Sequence, residues 1–380
     1  MSGRYPPVNS CVAERVDPPP LITTDADLHA CVESLGRVVG IDTEFIRVRT
    51  FYPIPALYQL AGDGGVGLVD ASANSTFGPL KALLLDPGRT KVIHGCSEDL
   101  EVMATHLDVQ PANLVDTQLA HAFIGPEFSA SYAKLVERYL GLKLDKHETR
   151  SDWLQRPLSK EQQSYAVEDV AHLRAIWQRQ RQALVEAGRL QWVLEEMQQI
   201  LDAPVATPDT WFENMKGVWR LGCRERRVLR NLVRWREQEA RRRDIPRAYT
   251  VRDEHLVALA LRPQLAPGDV AGLIPRRTAK RYGKILAAVH RQGLKDRDPI
   301  PDVARPLGRR DGELVKVLRE AGRRASNRLG VAPELLARKR DLEADVRYFR
   351  AHDQLPRRYR EGWRGQIVGD VFDGILKAAL

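Results

Sequence analysis

Three acidic stretches hold the residue types that do chemistry. In Asp42-Thr-Glu44-Phe45 two carboxylates stand two residues apart at the end of an apolar run. Residues i and i+2 of a strand face the same side, so both acids project from one side of its end. Like charges held together are costly unless a cation compensates them, and hard oxygen donors of this kind suit Mg2+ or Mn2+. In His94-Gly-Cys-Ser-Glu98-Asp99 a strand end runs into a helix with an acidic first turn. Acids there also complement the helix dipole, which accounts for Glu98 and serves equally for Asp99. In Tyr165-Ala-Val-Glu168-Asp169 the tyrosine and the last aspartate lie four apart and share a helix face. Taken singly, each stretch has an ordinary structural reading.

Elements are needed to bring them together. Thr24 and Asp25 cap a helix expected over 25–35, and 37–42 reads as a buried strand. Short strands are expected at 57–61 and 67–70, on either side of the turn residues 62–65. A helix at 77–85, a strand at 91–94 and a helix over 97–105 with Ser97 as N-cap follow. A strand end at 115–117 precedes a largely helical stretch to about 201. Strands alternating with helices indicate a layered, mixed sheet. The linker Ala203-Pro-Val-Ala-Thr-Pro-Asp209 ends the strand signals, and the break Asp296-Arg-Asp-Pro-Ile-Pro301 separates two helical stretches. The expected divisions are a leader over 1–20, an α/β domain over 21–202, and all-α units over 211–292 and 303–380.

Taken in order, D-x-E, an aspartate after a strand–helix junction and Tyr-x-x-x-Asp on a helix resemble the DEDD 3′–5′ exonuclease superfamily. Tyr165, preceded by Ser164 where the other branch has histidine, matches its tyrosine branch. The text from Asp42 to Pro53, Ala56-Leu-Tyr-Gln-Leu60, Ser151-Asp-Trp-Leu-Gln-Arg-Pro-Leu158 and Tyr165-Ala-Val-Glu-Asp-Val170 resembles the ribonuclease D family. Leu232-Val-Arg-Trp235, Asp244-Ile-Pro246, Leu256, Pro267, Ile274-Pro and Tyr282-Gly-Lys-Ile-Leu286 are similar to the HRDC (helicase and ribonuclease D C-terminal) domain. The stretch over 305–380 matches a second such domain by position and helical character only.

This resemblance implies a ribonuclease H-like α/β exonuclease domain with a mixed sheet, followed by two all-α HRDC-like domains. It implies a 3′–5′ exoribonuclease that trims the 3′ ends of tRNA precursors and releases nucleoside 5′-monophosphates. Asp42, Glu44, Asp99 and Asp169 would bind two divalent ions, Mg2+ or Mn2+, that stabilise the attacking and departing oxygens, and Tyr165 would orient the water. Phe45 and Tyr52 are candidates to stack on terminal bases. Arg47, Arg49 and Arg156 are candidate phosphate contacts; the alternative is core or surface packing for the two aromatic residues and solvated surface for the three arginines. His94 and Trp153 are expected to be structural. The alternative functions are a DNA-directed exonuclease of repair type and a noncatalytic nucleic-acid-binding adaptor.

Charge is divided along the 380 residues. Residues 1–200 carry 19 Lys+Arg and 26 Asp+Glu, a net of −7, whereas 201–380 carry 40 and 24, a net of +16. A basic half of this kind points to a polyanion, and RNA is the expected partner. Arg224–Arg243 and Arg276–Lys284 are the stretches expected to hold it. No apolar run reaches the length of a bilayer span, so no membrane is expected. The first twenty residues lack the apolar core of a signal peptide, and the four scattered cysteines, Cys11, Cys31, Cys96 and Cys223, lack metal or disulfide spacing. The expected location is the cytoplasm.

Overall fold

The computed structural model describes residues 18–73, 76–144, 151–204 and 207–379. Most of the expected leader, 1–17, lies outside the described residues. The chain forms two compact units. The first takes the chain up to Ile46, then Ile54–Asp202 and everything from Leu307 onward; the second takes Arg47–Pro53 and Ala203–Pro306.

In the first unit, strands and helices alternate as β1 (Leu21–Ile22), α1 (Asp25–Ser34), β2 (Val38–Ile46), β3 (Ile54–Gly62), β4 (Gly65–Asp70), α2 (Gly78–Leu85), β5 (Thr90–Ile93), α3 (Ser97–Val102) and β6 (Leu114–Asp116). Five helices follow: α4 (Thr117–Ala122), α5 (Tyr132–Leu140), α6 (Lys160–Ala171), α7 (Leu173–Glu186) and α8 (Leu190–Leu201). The strands form one sheet in the order β1-β4-β3-β2-β5-β6. β3 is antiparallel to both β2 and β4, while β5 is parallel to both β2 and β6. This is the mixed, ribonuclease H-like sheet expected, with β2 at its centre. β2 runs four residues beyond the expected strand because pairing with β3 continues to Ile46 opposite Ile54.

Helices cover the sheet on both faces, which is why β2 begins as an unbroken apolar run. Val39, Ile41, Tyr58 and Leu60 pack with Leu28, Val32, Leu80 and Leu83 in one buried cluster. Val92, Val115, Val170, Leu173 and Trp177 belong to another. Gly40 allows the second layer to close. A Cβ there would lie 3.1 Å from Val170 O and 3.2 Å from Leu173 Cβ, so the end of α6 sits directly on β2.

The start of α3 differs from expectation. Cys96, not Ser97, occupies the N-cap and makes no side-chain cap. The carboxylate of Asp116, at the end of the neighbouring strand β6, instead holds the turn that leads into the helix. It accepts hydrogen bonds from Gly95 N and Cys96 N, each at 3.0 Å, and from Gln118 N at 2.8 Å.

The second unit is helical, with α9 (Cys223–Arg242), α10 (Arg247–Thr250), α11 (Asp253–Ala260) and α12 (Arg276–Lys295) around Phe212, Leu229, Leu232, Leu256, Leu286 and their neighbours. The C-terminal helices are α13 (Arg309–Leu329), α14 (Glu334–Ala337), α15 (Lys339–His352), α16 (Arg357–Arg360), α17 (Gly362–Arg364) and α18 (Asp370–Lys377). The expected separate unit over 303–380 is corrected here, because from Leu307 these helices merge with the first unit. Trp363 stacks on Trp192 at 5.3 Å and meets Phe123 edge-on at 5.1 Å, and its indole N–H donates to Glu196. Arg364 forks onto the same glutamate, and Arg189 joins Phe123 O to Leu329 O.

Gly40→Val should force β2 and α6 apart and lower stability by about 1–3 kcal/mol, the usual cost of overpacking. Denaturant unfolding reads this directly; an unchanged midpoint would mean that α6 is not seated on Gly40.

Candidate active site

β2 carries Asp42 and Glu44 on one side of its C-terminal half, and α6 is seated against the same strand. One carboxylate oxygen from each of Asp42, Glu44 and Asp169 lies within 4.8 Å of the others. Among the described residues this is the one His/Cys/Asp/Glu group close enough to share a metal ion. Asp99 is buried at the start of α3 and stands near enough to act electrostatically on both Asp42 and Glu44. Thr43, between the two β2 acids, donates its hydroxyl to Asp99 at 2.6 Å and ties the strand to α3. The three distant stretches therefore meet in one place.

Close packing of these acids makes their ionised forms expensive. At an effective dielectric constant of about 20, two charges some 4.8 Å apart repel by about 3 kcal/mol. Burial, followed by the charges of Asp99, Asp169 and Glu44, holds Asp42 well above the usual carboxylate range. Burial with Asp169 and Asp99 pushes Glu44 up to about 8. Asp99 rises to about 6, chiefly through burial, with the Thr43 hydrogen bond opposing the rise. A group of all-oxygen, mutually repelling donors fits a hard divalent cation, which would remove the repulsion and replace lost hydration.

Tyr165 lies one helical turn before Asp169 on α6 and is hydrogen-bonded to it. Burial and then the neighbouring acids raise its phenol, which stays protonated. Trp153, itself buried, sets its ring 6.0 Å from that of Tyr165.

Arg156 holds the loop that carries Trp153, and its expected phosphate role is corrected. Nε and Nη2 grip Asp70 at 2.7 and 2.6 Å, Nη2 also reaches Ala56 O, and Nη1 donates to Trp153 O and Gln155 O. Every donor of the guanidinium is engaged within the protein, which leaves none for RNA.

The remaining expected residues fall in varied surroundings. His94 shares a hydrogen bond with Thr117 Oγ1 at 2.9 Å. Phe45 is half-buried against the core beneath β2. Arg47, Arg49 and Tyr52 lie on the segment that belongs to the second unit.

Two supports were not foreseen from sequence. Asp116 fixes the turn that presents Asp99, yet in sequence it read only as a strand end. Tyr132 donates to Glu168 O at 2.9 Å and accepts from His172 N at 3.2 Å, bracing the end of α6 beside Asp169. Nothing local in its sequence marks that role, because the partner is a main-chain carbonyl 36 residues away.

Comparison with known proteins gives first the class. Residues 19–184 match the family model for a 3′–5′ exonuclease, and 225–289 match that for an HRDC domain. The ribonuclease D of Pseudomonas paraeruginosa is 37% identical, with 90% of this chain and 92% of that protein aligned. That of Escherichia coli K12 is 32% identical over 94% and 98%. The crystal structure of Escherichia coli RNase D, described as an exoribonuclease involved in structured RNA processing, superposes with a TM-score of 0.84 at 30% identity, covering 94% of this chain and 98% of that one. The catalytic core of RRP6 from Trypanosoma brucei shares the fold, with a TM-score of 0.56 at 23% identity over 78% and 84%. The chain belongs to the ribonuclease D family. It is a 3′–5′ exoribonuclease, a hydrolase of phosphodiester bonds.

The raised carboxylates predict how the metal-free protein responds to pH. The folded state keeps protons on these acids after the unfolded chain has released them, so stability falls as pH climbs from the ordinary 4.5 of a glutamate through about 8. His121, drawn down to about 4 mainly by burial, acts in the opposite sense up to about 6.5. The clean window is therefore about 6.5 to 8. The melting midpoint in chelator should drop across that window, and Glu44→Gln should flatten the drop. A midpoint that rises equally in both proteins would contradict the pocket's electrostatics.

Proposed function

We propose that the chain shortens RNA from its 3′ end in the cytoplasm, maturing tRNA precursors and releasing nucleoside 5′-monophosphates with two divalent cations, Mg2+ or Mn2+. The observation that carries this reading is the meeting of Asp42, Glu44 and Asp169 within 4.8 Å, with buried Asp99 alongside. Once bound, the cations would stabilise charge on the attacking and departing oxygens of an in-line displacement. The protein's part is to hold them with these four carboxylates and to present the water. Tyr165 donates or accepts through a hydroxyl fixed by Asp169 and Trp153, so it orients the water. Its raised phenol pKa argues against a resting general base. Among the described residues no helix is long and apolar enough to cross a membrane, in keeping with this setting.

In this reading the exonuclease domain (21–202) cuts, the HRDC domain (211–292) grips the body of the RNA, and the C-terminal helices (303–380) brace the exonuclease domain. The two basic stretches of the HRDC domain differ. The arginines of α9 are spent internally: Arg226 on Asp302, Arg230 on Asp296, Arg234 on Asp209, Arg236 on Asp253 and Glu237, and Arg242 on Glu239. α12 contains no acid at all. Its exposed Arg277, Lys280, Lys284, Arg291 and Lys295 recur at helical spacing, and among the described residues none pairs with a carboxylate. With a 1.5 Å rise and 100° per residue they form a stripe about 27 Å long and about 60° wide. A straight row of unpaired cations on a rigid helix suits a phosphate backbone.

Three experiments test the reading. Asp42→Asn should reduce cleavage of an RNA oligomer by a factor of about a thousand or more while RNA binding is retained. A matched DNA oligomer should be the poorer substrate; equal rates on both would favour a nuclease without RNA preference. Reversing Arg277, Lys280 and Lys284 to glutamate should raise KM on a structured RNA with a single-stranded tail. The same change should reduce the slope of log affinity against log salt by about two to three, with a short oligomer cut as before. Wild-type behaviour on the structured RNA would remove α12 from the interface.

A further inference from the structure

The segment between β2 and β3 is built into the second unit. Asp244, in left-handed backbone with φ +47° just past α9, accepts two backbone hydrogen bonds on one carboxylate oxygen. They come from Phe51 N at 2.9 Å and Tyr52 N at 3.0 Å. The guanidinium carbons of Arg241 and Arg247 each lie 4.6 Å from the centroid of the Phe51 ring. Arg247 also lies 3.9 Å from the ring of Trp211. Fully buried Glu237 orients both arginines, taking Arg241 Nη1 at 2.7 Å and Arg247 Nε at 2.7 and 2.9 Å. Main chain and ring of two consecutive residues are thus held by separate, mutually supported groups, which distinguishes a seat from a glancing contact.

The chain enters this seat straight from the strand that carries Asp42 and Glu44. The register of β2 against β3 shifts between Glu44 and Phe45. At such a bulge the ladder is interrupted and the strand bends more freely. Pairing resumes for only two residues, Phe45 opposite Pro55 and Ile46 opposite Ile54, and Pro55 has no N–H to give. The ladder therefore restrains the backbone beyond Glu44 less than it does before it, and farther along the chain Phe51 and Tyr52 are held in the seat.

We propose that the helical unit holds Glu44 in its metal-binding orientation by seating the β2–β3 segment, with Asp244, Arg241 and Arg247 as positioning residues. The inference rests on Glu44 being a metal ligand. It gives the HRDC domain a second task besides gripping RNA, and one that operates on substrates too short to reach α12.

Full-length Asp244→Ala, Asp244→Asn and Phe51→Leu test it, with thermal melting as a check that the second unit stays folded. Mn2+ binding without RNA, amide exchange over 42–54, and kcat and KM on a short single-stranded RNA are the readouts. Asp244→Ala should weaken Mn2+ binding by about tenfold to a hundredfold, the usual effect of removing a group that orients a metal ligand. It should speed exchange over 45–53 and lower kcat on the short RNA with KM changed by less than about twofold. Phe51→Leu should do the same more mildly. Asp244→Asn keeps the accepting oxygen and should stay within about threefold of wild type in Mn2+ binding. If Asp244→Ala exposes the segment to exchange yet leaves Mn2+ affinity and kcat unchanged, or acts on KM alone, the seat does not position Glu44. A wild-type chain that takes up no Mn2+ would instead overturn the reading of Glu44 as a ligand.

Discussion

Asp42, Glu44 and Asp169 occupy a space in which ionising any one raises the cost of ionising the others. The acids do not gather by mutual attraction, so packing elsewhere must hold them together. The closest such packing is at Gly40, where the missing side chain lets Val170 and Leu173 rest on β2 and delivers Asp169 next to Asp42. Thr43 binds the strand to α3, Asp116 secures the turn that opens α3, and Tyr132 secures the end of α6. The Asp116 and Tyr132 ties are made outside the pocket, and Thr43 holds Asp99 itself. The repulsion is thereby built into the folded state, and a hard divalent cation bound among these acids would relieve it.

The rest of the first unit serves the rigidity of this arrangement. The Arg156–Asp70 fork at the end of β4 anchors the loop whose Trp153 lies against Tyr165, so an ion pair outside the pocket reaches the Tyr165 ring in two steps. Elsewhere in this unit, Trp363 and Arg364 from the C-terminal helices pack against Phe123, Trp192 and Glu196. A Trp–Trp stack with an ion pair beside it gives an extensive apolar contact with satisfied polar groups. That contact makes these helices part of the scaffold.

Charge composition was informative but coarse. The surplus of the second half is real, yet much of it neutralises neighbouring acids. Buried ion pairs of the α9 type satisfy groups that would otherwise be costly, and they contribute little net attraction for a distant phosphate. α12 differs because it contains no acid and its exposed cations, among the described residues, pair with none. A count of arginines cannot separate the two cases, since pairing depends on which loop folds back against which helix. Asp296, Asp298 and Asp302 reach α9 only because the chain after α12 turns back over it.

The sequence by itself determined the identity of the acids and the elements that carry them. The i, i+2 spacing of Asp42 and Glu44, the i, i+4 spacing of Tyr165 and Asp169, and the apolar run before them are local regularities of strand and helix, legible one segment at a time. The alternation of strands and helices determined the mixed sheet in the same way. Only the tertiary structure decided what depends on distant partners: that Asp116 rather than Ser97 secures the start of α3, that Arg156 is fully occupied by Asp70 and main-chain carbonyls, that the C-terminal helices merge with the exonuclease domain, and that the segment after Glu44 is seated in the helical unit. The physical reason is common to all four. A side chain's hydrogen-bonding capacity and burial are fixed by what the fold brings against it, and residues tens to hundreds of positions apart leave no periodic trace of that meeting in the chain.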